Sequence, residues 1–548
     1  MCAQRWLVLG ALGFIFASAP SILVATGSAA EPGFAKLVVL FQEWRHFQQP
    51  EFHHGVPDYR AAAMAKQHRD LRVFQERLAD LDSTNWPLAN RVDHRLVQAE
   101  MNGLDFDHRI LQPWARDPAF YAMVIESESD TPLTEGPVIA GAIEIWRLNL
   151  PLSAPELQRL HLQLEAIPAI LLQARGNLLG DAQDLWRLGI RTHEGQSAIL
   201  QDLAELLGGH HSGLVTPVEK AQQATTEFID WLKQESPRKT GPSGIGVDHY
   251  SWYLQNVHLV PFSWEDELRL MERELARAVA HMKLAEHQNR GLPPLEPPVD
   301  AREWELRSES ATVSFMNFLA DQNVLEIEDF MEPALRERLQ PFSTPEESHF
   351  FAQVNLRDPR VLHCHFIHWI EKAYLRDHPH ASPIRSQPSL YNIWDSRSEG
   401  LATGMEEMMM SAGMFEDSPR SRELVYIMVA MRAARAIAGL RVQSNDWTVD
   451  EAVRFATGHT PRGWFRPDGN LVLFEQQLYL RQPGYGTSYL SGKALIEILL
   501  AERAMKIGDE FTLQGFMTEL FEAGMIPVSL GRWEITGHDD WLPEPIQR

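Results

Sequence analysis

Apolar residues in this chain return every three or four positions and almost nowhere every second one, so its core has to be built from helices. The clearest case follows Ser263. Its hydroxyl can cap a helix whose first turn carries Glu265, Asp266 and Glu267, where the helix dipole favours negative charge. Leu268, Met271, Leu275, Ala278, Val279 and Met282 then fall on one face, and Gly291, Pro293, Pro294, Pro297 and Pro298 stop the run. Similar patterns cover residues 59–81, 155–176, 183–208, 217–234, 302–318, 418–440 and 491–507. The apolar run at 138–148 has no clear period and is read as helix. The expectation is a mostly α, large multi-helix protein.

With 548 residues, 44% of them hydrophobic, the chain can bury a large core and is not a disordered chain. Its formal charge of −24 argues against nucleic-acid partners, whose phosphates demand a basic surface, and against docking on anionic lipid. Arg5, the uncharged stretch 6–19 and the small-residue site Ser28-Ala29-Ala30 read as an export signal over 1–30, with an uncleaved N-terminal anchor as the alternative. Cys2 is too early for a lipoprotein cysteine. Cleavage would leave Cys364 as the single cysteine, so no internal disulfide can form. The protein is then periplasmic or secreted, or membrane-anchored if the segment stays, with no further integral membrane part. The Pro- and Gly-rich stretch Pro237 to Gly244 divides an N-terminal helical region, 31–240, from a C-terminal one, 241–548, and 291–298 is a second break.

Chemistry concentrates in the C-terminal region. His363-Cys364-His365-Phe366-Ile367-His368 packs three histidines and the cysteine into six residues. Wound as one helix, Cys364 and His368 lie a turn apart on one face, with Glu371 near it and His365 at its edge. Imidazole and thiolate both bind transition metals, and i,i+4 spacing lets two share an ion. The same pattern also suits a buried helix whose core histidines are simply hydrogen-bonded and whose cysteine is a small hydrophobe. Glu399 and Glu406, seven residues apart, share a helix face. Glu371 and Glu406 are the carboxylates available as a general base, although helical carboxylates more often pair or face solvent. Tyr489 follows a Pro-Gly turn, where a phenol can donate to a developing oxyanion or stay a buried aromatic.

Several motifs together resemble the bacterial family called domain of unknown function 885, from about Arg91 to Trp533. Arg91-Val92-Asp93-His94-Arg95-Leu96 is similar to its early R-x-D-x-x-L helix, and Tyr250 to Leu254 to its Y-x-x-x-L segment. The run from Glu399-Gly400 to Glu406 is similar to E-G-W-A-L-Y-x-E, with Leu401 for Trp and Thr403-Gly404 for Leu-Tyr. Pro483-Gly484 with Tyr489 and Gly492 keeps the spacing of P-G-Q-A-x-x-Y-x-x-G, with Tyr485-Gly486 for Gln-Ala. The resemblance implies a helical, zinc-metallopeptidase-like scaffold with Glu399 as the third ligand beside His365 and His368, and Cys364 is a further candidate ligand. Two departures fall where the chemistry would sit. The family's His-Glu pair and its Pro-Gly-His-His are absent from 362–369, so Cys364 stands where Glu is expected if His363 is the first histidine. Gly439, Arg441 and Gln443 replace D-x-G-x-H, while Trp447 matches.

The scaffold reads as kept and the polar centre as rewritten. One expectation is an exported relative that has lost catalysis and binds a peptide or small molecule in its cleft. The alternative is a divergent metal-dependent peptidase or amide hydrolase, with zinc held by His365, His368, Glu399 and Cys364, and with Glu371, Glu406 and Tyr489 as catalytic groups. A third, weaker reading is a transition-metal binder using the 22 histidines, most of which are scattered.

Overall fold

The structure, a computed structural model, describes residues 32–543, so the export segment read at 1–30 lies outside the described residues. Ten of the helices among the described residues build the two cores and frame the site: α1 (Leu88–Phe106), α2 (Ala154–Asn177), α3 (Gln183–Gly208), α4 (Val215–Glu235), α5 (Trp264–Gln288), α6 (Pro359–His365), α7 (Ile367–Asp377), α8 (Asp395–Ser411), α9 (Ser421–Gln443) and α10 (Tyr485–Ile507). Sheet is confined, among the described residues, to two ribbons. β1 (Phe52–His53) pairs antiparallel with β2 (Val56–Pro57), and β3 (Val124–Ile125) pairs parallel with β4 (Ile143–Glu144). The mostly α architecture follows from the apolar periodicity. Ser263 does cap α5: its Oγ accepts from the Asp266 N–H while its own N–H donates to the Asp266 carboxylate at 3.1 Å.

Two hydrophobic cores form. The smaller is made by α2, α3 and α4 through residues such as Leu164, Ile167, Leu200 and Phe228. The larger takes α5 to α10 and also residues from before the 237–244 break, among them Leu37, Phe41, Val92 and Leu96. The smaller core thus lies wholly upstream of that break, whereas α1 packs with the helices downstream of it.

Two local expectations are corrected. Residues 138–148 are not a helix: Ile143–Glu144 is β4 and Ile145–Arg147 a 3-10 turn. Backbone groups that a helix would use internally go elsewhere, with the Ile143 N–H donating to the Met123 carbonyl at 2.7 Å and the Ala140 N–H to the Tyr59 hydroxyl. Gly141 at φ 84° also sits in the left-handed region, which interrupts a right-handed helix. The histidine segment is likewise two helices. α6 ends at His365 and α7 begins at Ile367, with Phe366 at ψ 9° between them.

The centre of the larger core is the crossing of α8 with α10, and it is nearly backbone to backbone. A Cβ on Gly492 would stand 1.9 Å from the Ser396 carbonyl oxygen, and one on Gly400 would stand 2.4 Å from Gly492 itself. No helix among the described residues is long and apolar enough to cross a membrane.

Two predictions follow from this packing. Gly492→Ala should cost about 3 kcal/mol or more in urea unfolding, because backbone rather than a side-chain tip must move; a loss under about 1 kcal/mol would contradict the crossing. Glu267 is buried beside α10, and burial pushes its carboxyl up to about 7 despite hydrogen bonds from Tyr250 and Ser491. The folded state therefore holds this proton where the unfolded chain has released it. The stability it contributes is complete at acid pH and is lost as pH rises through about 7, on the order of 3 kcal/mol. Glu267→Gln should thus gain on the wild type between about pH 5 and pH 8; a difference independent of pH would refute this assignment.

Candidate functional site

The kink at Phe366 decides which side chains of the histidine segment meet. His365, at the end of α6, and His368, in the first turn of α7, turn toward α8 with ring centroids 5.1 Å apart. The His368 Nε2 lies 3.1 Å from the Glu399 Oε2, and the His365 Nε2 lies 3.9 Å from the same oxygen. Each imidazole is held from behind. The His368 Nδ1 is 3.0 Å from the Ser398 Oγ, and the His365 Nδ1 is 3.2 Å from both the Glu406 Oε1 and the Arg432 Nη2. Glu399 therefore meets both imidazoles, and Glu406, two turns along α8, meets His365 from its other side. The other Glu399 oxygen accepts from the Tyr485 hydroxyl at 2.7 Å, and the Tyr489 hydroxyl donates to Tyr485 at 3.1 Å.

A further acid comes from far upstream. The segment between β3 and β4 crosses this face of the larger core and brings a carboxylate oxygen of Asp130 to within 4.8 Å of ring nitrogens of both His365 and His368. The segment is pinned by Glu128, which pairs with Arg338 at 2.6 Å and Lys372 at 2.9 Å, and by the Ser129 carbonyl, which accepts from Lys372 at 2.7 Å. Glu135, on the same segment, has Oε1 3.3 Å from the Tyr485 hydroxyl.

Burial and charge set the protonation of the centre. Burial alone would push the His368 imidazole down, but the Glu399 and Asp130 carboxylates outweigh it and lift it to about 9. Burial would raise Glu399, yet the His368 charge, helped by His365 and the Tyr485 donor, brings it down to about 2. His365 is lowered by burial and by the Arg432 guanidinium. Glu135 is raised to about 7 by burial and by repulsion from Asp130 and Glu399.

The other residues expected at the site are placed differently. Cys364 is buried in the larger core, its thiol pushed up by burial, and it is not among the His and carboxylate groups that converge. The single helix that put it beside His368 is broken at Phe366. Glu371 and Glu406 are not spare bases, because both oxygens of each are engaged. Arg397 forks onto Glu371, and Arg432 onto Glu406 with two bonds of 2.7 Å. A carboxylate on a helix buried all round needs such a counter-charge. Tyr489 does reach the centre: its ring lies parallel to His365 at 6.4 Å and under the Arg435 guanidinium at 4.4 Å. Asp130, Glu135, Tyr485 and Ser398 carry no motif signal of their own that marks them as site residues in the sequence. Of these, Tyr485 sits inside the Pro-Gly motif, which is the signal that leads to it.

Asp130 and Glu135, the acids beside the centre, also line a cleft of about 1190 Å³ together with His349, Trp369 and Trp464. The donor set suits a divalent cation. It offers two imidazoles aimed at one carboxylate oxygen, an acid opposite, and a hydrogen-bonding partner behind each imidazole, which is how ligating histidines are oriented.

Residues 368–534 match the profile of a bacterial family described as protein of unknown function, DUF885. The resemblance read from the motifs is borne out over this segment, which holds His368, Glu399, Glu406, Tyr485 and Tyr489. The fold is similar to that of "a putative lipoprotein of unknown function" from Shewanella oneidensis, with TM-score 0.68 and 16% identity over 92% of this chain and 100% of that one. It is also similar to a "putative lipoprotein" from Colwellia psychrerythraea, with TM-score 0.62 and 13% identity over 93% of this chain and 99% of that one. No curated protein matches the chain.

The clamp on Glu406 makes a testable demand. Arg432→Met strands a buried carboxylate and should cost about 3–5 kcal/mol in denaturant unfolding, with most of that recovered in the Arg432→Met, Glu406→Leu double variant. A cost below about 1 kcal/mol for the single variant would show that the pair is not buried as described.

Proposed function

We propose that this protein is an exported, divergent metal-dependent hydrolase acting on peptides or related amides, with a divalent cation, zinc by preference, held by His365, His368 and Glu399 and balanced by Asp130. The observation that carries this reading is that both imidazoles turn Nε2 to one Glu399 oxygen while Ser398 and Glu406 hold their Nδ1 atoms. Pairing of core histidines with one another or with backbone requires no such convergence. A cation bound there supplies Lewis-acid polarisation of the scissile carbonyl.

The chain's own residues supply the rest. Glu135 replaces the missing glutamate of the His-Glu pair: it lines the cleft, and its carboxyl near 7 can take and return a proton at neutral pH. The Tyr489 hydroxyl donates to Tyr485 and the Tyr485 hydroxyl to Glu399, a donor chain that fixes the Glu399 carboxylate for binding a cation. Export is supported by the 1–30 segment and by the lipoprotein descriptions of the two structures of like fold.

The arginine forks on Glu371 and Glu406 favour a second reading, in which catalysis is lost and the cleft only binds. Elemental mass spectrometry and a peptide-library digest separate the two. About one zinc per chain, lost in a His365→Ala, His368→Ala variant of unchanged circular dichroism, is expected. Glu135→Gln should keep the metal and lose about 10²-fold or more in hydrolysis. Metal without hydrolysis would favour the binding reading, and no zinc in the folded wild type after dialysis against it would refute the hydrolase and leave a cleft that only binds.

A further inference from the structure

A second cavity, of about 540 Å³, lies behind the segment that carries Asp130 and shares Ile125, Thr134 and Arg481 with the wall of the cleft. Its size is that of a small-molecule pocket. Its lining includes the aromatic side chains Tyr59, Trp114, Phe120, Tyr253 and Tyr391 and two acids, Asp107 and Glu144. Tyr59 and Trp114 stack at 6.4 Å, and Phe120 meets Tyr59 edge-on at 4.9 Å.

Among the described residues the Asp107 carboxylate has neither a hydrogen-bonding nor an ionic partner. The other charged groups of the lining are already engaged: Arg481 with Asp117 at 2.6 Å, and Glu144 with Arg147 at 2.9 Å. Asp107 is half-buried, so its carboxylate faces the cavity unpaired and open to a ligand's charge. Burial alone moves this carboxyl to about 7, so nothing on the described chain compensates its charge.

The backbone that presents these groups is unusual as well. Asp107 opens a one-turn π-helix, Asp107–Leu111, at the end of α1, a distortion common at functional sites. Gln112, Tyr391 and Asn392 hold φ of 41°, 57° and 51°, a conformation that non-glycine residues seldom adopt. Tyr391 and Asn392 line the cavity from the other side.

We propose that this cavity binds an organic cation, an alkylammonium or arylalkylammonium group, with Asp107 as its counter-ion and the aromatic faces as its cage. Aromatic faces attract ammonium groups through the ring quadrupole, and the attraction grows when the cation is desolvated. A carboxylate at the same wall adds the charge that an uncharged hydrophobe could not use. The inference does not depend on the reading of the histidine centre, since none of its residues is a proposed metal ligand.

The test is titration calorimetry of the full chain with choline, phenethylamine and agmatine, each beside its uncharged isostere. At least one cation should bind roughly tenfold or more tightly than its isostere. Asp107→Asn, which keeps the shape and removes the charge, should abolish that preference while its circular dichroism and zinc content stay those of the wild type. Trp114→Leu provides a second, independent loss through the cage. Equal binding of cation and isostere would make the pocket a plain apolar one and overturn the proposal. So would a preference that survives in Asp107→Asn, or no binding by any of the three cations to the folded wild type.

Discussion

A helix buried over its whole circumference, yet carrying Asp395, Arg397, Glu399, Glu406 and Glu407, has to be surrounded by counter-charges. α8 is that helix, and much of the larger core is organised by what it needs. Arg397 finds Glu371 on α7, Glu406 finds Arg432 on α9, and Glu407 finds Arg277 on α5 and Lys493 on α10. Asp395 takes the Gln482 amide at 2.6 Å. Each neighbour is tied to α8 by a polar bond at a fixed register, and the glycine contact with α10 lets the backbones come close enough to make it.

Glu399 differs from Glu406 and Glu407, because no arginine or lysine answers it. It is met by two imidazoles and a phenol, groups that can exchange a proton for a metal ion, whereas a guanidinium cannot. The same helix thus separates structure from chemistry. Charges clamped by arginine fix the frame, and the one facing histidine is left adjustable. Asp130 and Glu135 then arrive on a strap from the smaller-core side of the molecule, so the centre is complete only when the two parts of the chain are packed together.

Much of this was legible in the sequence. The apolar period located the long helices, Ser263 announced its cap, and the seven-residue spacing of Glu399 and Glu406 placed both on one face. What failed did so for physical reasons. In the 138–148 run only Ile139 and Ile143 are buried, at the edge of the smaller core, and periodicity cannot tell so short an irregular apolar segment from a helix. The kink at Phe366 depends on packing of α6 and α7, and it moved Cys364 away from His368 while bringing His365 in. The arginine partners of Glu371 and Glu406 lie on other helices, so two acids that looked free in the sequence are clamped in the fold. Asp130 and Glu135 sit in an aperiodic loop far upstream, where no spacing links them to the histidines.

The central claim is that His365, His368 and Glu399 form one metal centre that excludes Cys364. X-ray absorption at the zinc edge of the zinc-loaded full chain tests it most directly. The account predicts a first shell of nitrogen and oxygen only, near 2.0–2.2 Å, with the outer-shell scattering of about two imidazoles. A sulfur shell near 2.3 Å, or a spectrum without imidazole scattering, would contradict it.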